Sequence, residues 1–260
     1  MFSRFSNAIV RPPARNFADG LTTATLGAPD FHLALEQHVA YCDALVRHGC
    51  TLIALPADGR FPDSTFVEDT SLILTGHGAI LARPGADSRA GEVEAIRDAI
   101  APYFSGVSQI ESPGTLDAGD VCDAGPHVFI GISHRTNAHG ARQLTDWLAR
   151  HGCSAATVDI RNVPGILHLK SGVTALEERR LLVIDALAAH PAFYGYDLVR
   201  VPPGEEYAAN CVRVNDVVFV PDGFPKTHAL LRALGYALEV LDMSEYARMD
   251  GGLSCLSLRF

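Results

Sequence analysis

DALVRHGCTLIALP (43–56) and DWLARHGCSAATVDI (146–160) are two copies of one phrase: an amphipathic helix, a glycine stop, a short β-branched strand and a Pro or Asp turn. Three looser copies fall at AIAPYFSGVSQIESP (99–113), FYGYDLVRVP (193–202) and LLRALGYALEVLD (230–242). Their stops, Gly49, Gly106, Gly152, Gly195 and Gly235, are 57, 46, 43 and 40 residues apart. Glycine ends a helix because it enters the left-handed conformation without a Cβ clash. Stops at such similar intervals mark five units of similar size.

Hairpins follow four of these strands. TSLILTGHGAILARP (70–84) turns at Gly-His-Gly and DVCDAGPHVFIGI (120–132) at Ala-Gly-Pro. GVTALEERRLLVI (172–184) and ANCVRVNDVVFVP (209–221) turn at charged or Asn-Asp pairs. Two strands are left over, NAIVRPP (7–13) at one end and GLSCLSLRF (252–260) at the other. Pairing them closes the five units into a ring, which also removes exposed sheet edges. The expectation is one α/β domain over 1–260, a pseudosymmetric five-bladed propeller closed by its two terminal strands.

Composition narrows the function. The 260 residues are 48% hydrophobic and 20% charged, enough apolar material for a sizeable core. Lys plus Arg number 21 against 30 Asp plus Glu, a net charge of −9 that argues against a nucleic-acid partner. A small cationic ligand suits that balance better. No apolar run is long enough for a signal peptide or a membrane span, so a cytoplasmic protein is expected. The six cysteines include no CxxC and the 11 histidines no HExxH, so neither a disulfide scaffold nor a zinc site is expected.

Aligning the units by their hairpins places a polar cluster before each first strand: FVED (66–69), LDAGD (116–120), LHLKSG (167–172), YAAN (207–210) and MDGGLSC (249–255). Equivalent positions of a ring converge on one end of its axis. Glu68, Asp69, Asp117, Asp120, His168 and Cys255 are therefore expected around one cavity. Taken singly, the carboxylates could satisfy turn amides, and His168 and Cys255 could be inert core residues. Gly251 and Gly252 mark a place where bulk is excluded, as for a ligand approached by backbone. A thiol beside an imidazole is the equipment of nucleophilic catalysis. Surplus carboxylates would repel the oxyanion of a protease, but they suit an amidine or guanidine, a planar cation whose carbon stays open to sulfur.

At FPDSTFVEDT, TLDAGD, RTNAHGARQ, LHLKSG and DGGLSCLSLRF the sequence resembles the dimethylarginine dimethylaminohydrolases, guanidino-modifying enzymes with the five-bladed α/β propeller called the pentein fold. The resemblance runs from about Ile9 to Phe260. It implies that Cys255 is the nucleophile, His168 the acid and base, and Asp117 the carboxylate paired with that histidine, where family members carry Asp or Glu. Asp69, with Glu68 beside it, matches the acid that binds the guanidinium. Arg89 and Arg135 match the two arginines that hold the α-carboxylate. Asp63 and the carbonyls of Leu21 and Met249 match the groups around the α-amino group, and ADGLTTATLG (18–27) resembles a lid.

The implied reaction converts an Nω-methylated L-arginine and water into citrulline and methylamine or dimethylamine, through a thiouronium on Cys255, with no metal or organic cofactor. Arginine deiminase shares the chemistry but releases ammonia and is typically longer. An amidinotransferase needs an amine acceptor, and a non-catalytic binding propeller would not need Cys255, His168 and the carboxylates together. Whether the chain forms a homodimer stays open.

Overall fold

The computed structural model describes residues 4–260. Its strands form five three-stranded sheets. The first contains β1 (Asn7–Val10) and β2 (Thr51–Ala54); the second is β3 (Ser71–Leu74), β4 (Gly78–Leu81) and β5 (Val107–Gln109). The third is β6 (Val121–Asp123), β7 (His127–Ile132) and β8 (Ser154–Asp159), and the fourth β9 (Val173–Glu177), β10 (Arg180–Val183) and β11 (Asp197–Arg200). The fifth is β12 (Val212–Val214), β13 (Val217–Pro221) and β14 (Ala237–Leu241), and β15 (Leu258–Arg259) completes the first.

The expected closure is observed. β15 runs antiparallel to β1, with Ala8 opposite Arg259 and Ile9 opposite Leu258. All four hairpins form as well. The boundaries of the blades lie one strand away from those of the sequence phrase, however. Each strand after a glycine stop pairs in parallel with the strand that precedes it in the chain, as β2 does with β1, β5 with β4 and β8 with β7. Parallel neighbours need a crossover. Helices α1 (Phe31–Arg47), α2 (Glu92–Ile100), α3 (Ala138–Arg150) and, in the fifth blade, Pro225–Ala233 supply it.

The fourth blade departs from the phrase. Its helix is one turn, Asp185–Ala188, followed by a 3₁₀ turn at Pro191–Phe193. Pro191 lacks the N–H that a continuing helix requires, and it holds His190 in an extended conformation. All five stop glycines keep positive φ, from 78° at Gly152 to 119° at Gly106.

One local feature positions the site. A 3₁₀ turn precedes the first strand of each hairpin, at Val67–Thr70, Ala118–Asp120, Leu169–Ser171 and Glu206–Ala209, and another, Leu253–Leu256, precedes the closing strand β15. These are the five polar clusters of the sequence. The turns pack against one another around the propeller axis. Phe17, Phe66 and Tyr246 form an aromatic trio behind them, with centroids 5.4–6.2 Å apart.

Candidate active site

The ring of turns divides the axis into two compartments. On one side is a narrow recess lined by Leu21, Asp63, Phe66, Asp69, Arg89, Arg135, Leu167, His168, Met249, Asp250, Gly251 and Cys255. On the other is a channel of about 140 Å³, whose lining includes Glu68, Ala118, Lys170, Ser254 and Arg259. Each side takes residues from the same turns, because successive side chains in a 3₁₀ turn point about a third of a turn apart.

His168 stands between two carboxylates. Its Nε2 is 3.1 Å from Asp117 Oδ2, and its Nδ1 is 3.8 Å from Asp69 Oδ1. Asp117 is fully buried behind the imidazole, and its other oxygen accepts from Gly85 N at 2.8 Å. The shorter acid at this position thus reaches the histidine. Burial opposes a charged imidazole, but the Asp69, Asp117 and Asp120 carboxylates outweigh it and hold His168 at about 9. An imidazolium at neutral pH can donate a proton. Burial pushes the Cys255 thiol up to about 12, and the nearby Glu68 and Asp69 charges push the same way. Burial and these charges therefore favour the neutral thiol.

Asp69 is the acid aimed into the recess. Burial disfavours its charge, yet His168 and Arg89 hold its carboxyl down to about 2. Arg89 Nη1 donates to Asp69 Oδ2 at 2.6 Å. Gly119 N donates to the other oxygen at 3.0 Å, and a Cβ on Gly119 would fall 2.5 Å from that oxygen.

Four expectations change. Glu68 is turned away from the recess and lies between Lys170 Nζ at 2.7 Å and Arg259 Nη2 at 3.1 Å. A buried carboxylate follows the cations available to it, and these two lie on the channel side. Asp120 does not reach the recess, because it accepts from Ser133 Oγ at 2.6 Å and Leu169 N at 3.0 Å, a turn-holding role. Arg89 lines the recess but is largely committed: its Nε and Nη2 donate to Glu92, and Nη2 also to Phe66 O. Arg135 has no ion-pair partner among the described residues and is the more available cation. Gly251 and Gly252, finally, make room for protein. A Cβ on Gly251 would meet the Phe66 ring at 2.3 Å, and one on Gly252 the Asn210 amide at 2.4 Å.

The segment after Gly20 sits at the mouth of the recess. Leu21 N donates to both Asp63 oxygens at 3.0 and 3.2 Å, and Thr22 Oγ1 to Arg248 O at 2.9 Å. Thr23 donates twice to Asp250 Oδ2. Asp63 and Met249 line the same recess. Asp69, Asp117 and His168 are the one trio of metal-capable side chains among the described residues, with ligand atoms within 4.8 Å of one another. Asp69 Oδ2 already accepts from Arg89 and Asp117 Oδ2 already engages His168, so a metal ion bound by all three would have to displace these contacts.

A thiol and an imidazole flanked by carboxylates, at the axis of five α/β blades, define a guanidino-modifying enzyme of the pentein fold. The comparisons agree. The N(G),N(G)-dimethylarginine dimethylaminohydrolase of Pseudomonas aeruginosa is 46% identical over 98% of this chain and all of its own length. The Streptomyces coelicolor protein of the same name is 37% identical over 97% of this chain and 96% of its own. A cysteine-to-serine mutant of the Pseudomonas aeruginosa enzyme complexed with citrulline superposes with a TM-score of 0.95, at 45% identity, over 99% of this chain and 100% of that one. No protein-family model matches the chain. The chain belongs to the dimethylarginine dimethylaminohydrolase family. Among the described residues no helix is long and apolar enough to cross a membrane.

Proposed function

We propose that the chain hydrolyses Nω-methylated L-arginines to L-citrulline and methylamine or dimethylamine. One observation carries the reading: Cys255, His168 and Asp69 line a single recess. The superposable mutant of the Pseudomonas aeruginosa relative, complexed with citrulline, supports it. The guanidinium docks its unmethylated side on Asp69 by charge-assisted hydrogen bonds. Its positive charge then stands beside Cys255 and favours the thiolate, reversing the effect of the carboxylates. The thiol proton leaves to solvent, and the sulfur electron pair forms a C–S bond to the guanidinium carbon.

His168, oriented by Asp117, gives its proton to the methylated nitrogen as the C–N bond breaks. An alkylthiouronium remains on Cys255. The now neutral His168 takes a proton from water as the C–O bond forms; the C–S electron pair then returns to sulfur while the hydroxyl proton of the tetrahedral carbon passes to it, restoring the thiol and releasing citrulline as the C=O forms. At the other end of the substrate, Arg135 and the remaining N–H of Arg89 receive the α-carboxylate. Asp63 and the carbonyls of Leu21 and Met249 receive the α-ammonium. The whole machinery lies within the one propeller. A compartment that keeps thiols reduced, as the cytoplasm does, suits a nucleophilic cysteine.

The test is citrulline release from asymmetric dimethylarginine, monomethylarginine and arginine at matched concentrations. A dimethylated nitrogen has no N–H to donate, so a site built for it carries no acceptor there and fits arginine less well. We expect at least about tenfold higher kcat/KM for the methylated substrates. Arginine as the fastest of the three would assign the chain to arginine deimination.

A further inference from the structure

The fourth polar cluster, YAAN, has no part in the chemistry above, yet its last residue touches the reacting atom. Asn210 follows the 3₁₀ turn Glu206–Ala209 and is 5% exposed. Its Nδ2 lies 3.9 Å from Cys255 Sγ, within hydrogen-bonding reach of sulfur. Its Oδ1 accepts from Ser254 N at 3.1 Å. That second bond decides which way the amide faces. A backbone N–H can only donate, so the oxygen must point at Ser254 and the NH₂ group at the sulfur.

The surroundings hold the amide there. Gly252 is bare on the side facing it, and a Cβ would fall 2.4–2.7 Å from the Asn210 side-chain atoms. Tyr207, from the same turn, donates from Oη to Gly251 O at 2.8 Å and ties the two turns together. Every charged neighbour that disfavours a thiolate here is a carboxylate, and Lys170 and the Gly252 backbone contact are what oppose them. A neutral donor aimed at sulfur adds to the opposing side without drawing in another charge.

We propose that Asn210 is a further catalytic residue, whose Nδ2 N–H donates to Cys255 Sγ and stabilises the thiolate that attacks substrate. The proposal rests on Cys255 being the nucleophile, and its test needs no substrate. The rate of Cys255 alkylation by iodoacetamide is followed from pH 7 to 9 by the mass of the Cys255 peptide, in parent and Asn210→Leu. The substitution keeps the size of the side chain, adds no charge and removes the donor facing sulfur.

A charge-assisted hydrogen bond is worth about a tenfold factor or more. We therefore expect alkylation to slow at least tenfold at each pH, and kcat to fall at least tenfold with KM within threefold. Loss of less than tenfold in alkylation overturns the proposal, since loosening a turn that Asn210 merely held would leave Cys255 as accessible as before or more so, and alkylation no slower. If Asn210→Leu does not fold, Asn210→Ala is judged by the same two rates on protein that melts above the assay temperature. An absence of methylarginine turnover in the parent would count against the proposed function and leave the alkylation result intact.

Discussion

The two ends of the propeller axis are built from the same five turns and do opposite things with them. Toward the recess the turns present Asp69, His168 and Cys255; toward the channel they present Glu68, Lys170 and Ser254. On the channel side one carboxylate, Glu68, lies between two cations, Lys170 and Arg259. On the recess side one imidazole, His168, lies between two carboxylates, and Asp69 also accepts from Arg89. Residues adjacent in sequence thus split into a carboxylate enclosed by cations and a set in which carboxylates enclose an imidazole. The second set holds the strongly shifted His168 and Cys255, and such groups cluster at functional sites.

The comparison can be broken most directly at the turn that supplies both Ser254 and Cys255. Cys255→Ser should fold and lose turnover by about 10⁴-fold or more, since a hydroxyl is a weaker nucleophile whose proton is harder to remove. Steady-state citrulline release at high enzyme concentration would measure it, and activity within tenfold of the parent would refute covalent catalysis. His168→Gly should cost about 10²–10⁴-fold, the usual share of an acid and base catalyst. Added imidazole should restore part of that loss, and a rate indifferent to imidazole at every pH would remove His168 from the proton path.

The pair Glu68 and Asp69 sharpens the contrast. Asp69→Asn should reduce kcat/KM by about one to two tenfold steps, because it takes away a charged acceptor. Glu68→Gln should cost less than tenfold in kcat/KM and act mainly on thermal stability, since it leaves Lys170 and Arg259 facing a neutral amide. Equal kinetic losses from the two substitutions would mean that the two compartments do not divide the labour as the side chains do.

The smallest effect is on pH stability. His168 titrates at about 9 in the folded chain, above the 6.5 of a free imidazole. A raised folded value means that the folded state holds the proton more tightly. Its stabilisation is complete below about pH 6.5 and is lost as pH rises toward 9. Urea unfolding of parent and His168→Asn between pH 6.5 and 9 should show the parent losing stability faster. Parallel pH profiles would mean that the imidazole carries no bound proton in the folded state.

Much of this was legible in the sequence. The five stop glycines need positive φ wherever they occur, and all five adopt it. The hairpin turns are equally local, so their positions were readable. The leftover strands at 7–13 and 252–260 had one way to avoid being edges. Aligning the units then identified every turn that reaches the axis. The fourth blade's short helix was less apparent, because the phrase FYGYDLVRVP was read for its glycine and Pro191 lies just before it.

What only the tertiary structure decided is the direction in which each of those residues points. Side chains in a 3₁₀ turn are rotated by about 120° from one residue to the next, so neighbours such as Glu68 and Asp69 must diverge. Nothing in FVED says which of them faces the recess; Lys170 and Arg259, distant in sequence, settle it by holding Glu68. Arg89 is likewise taken up by Glu92 and Asp69, and the paired glycines by Phe66 and Asn210. Local conformational rules determined the blades and their closure from the sequence alone. Long-range charge pairing and side-chain packing, which no local pattern encodes, determined how the shared turns are divided between the recess and the channel.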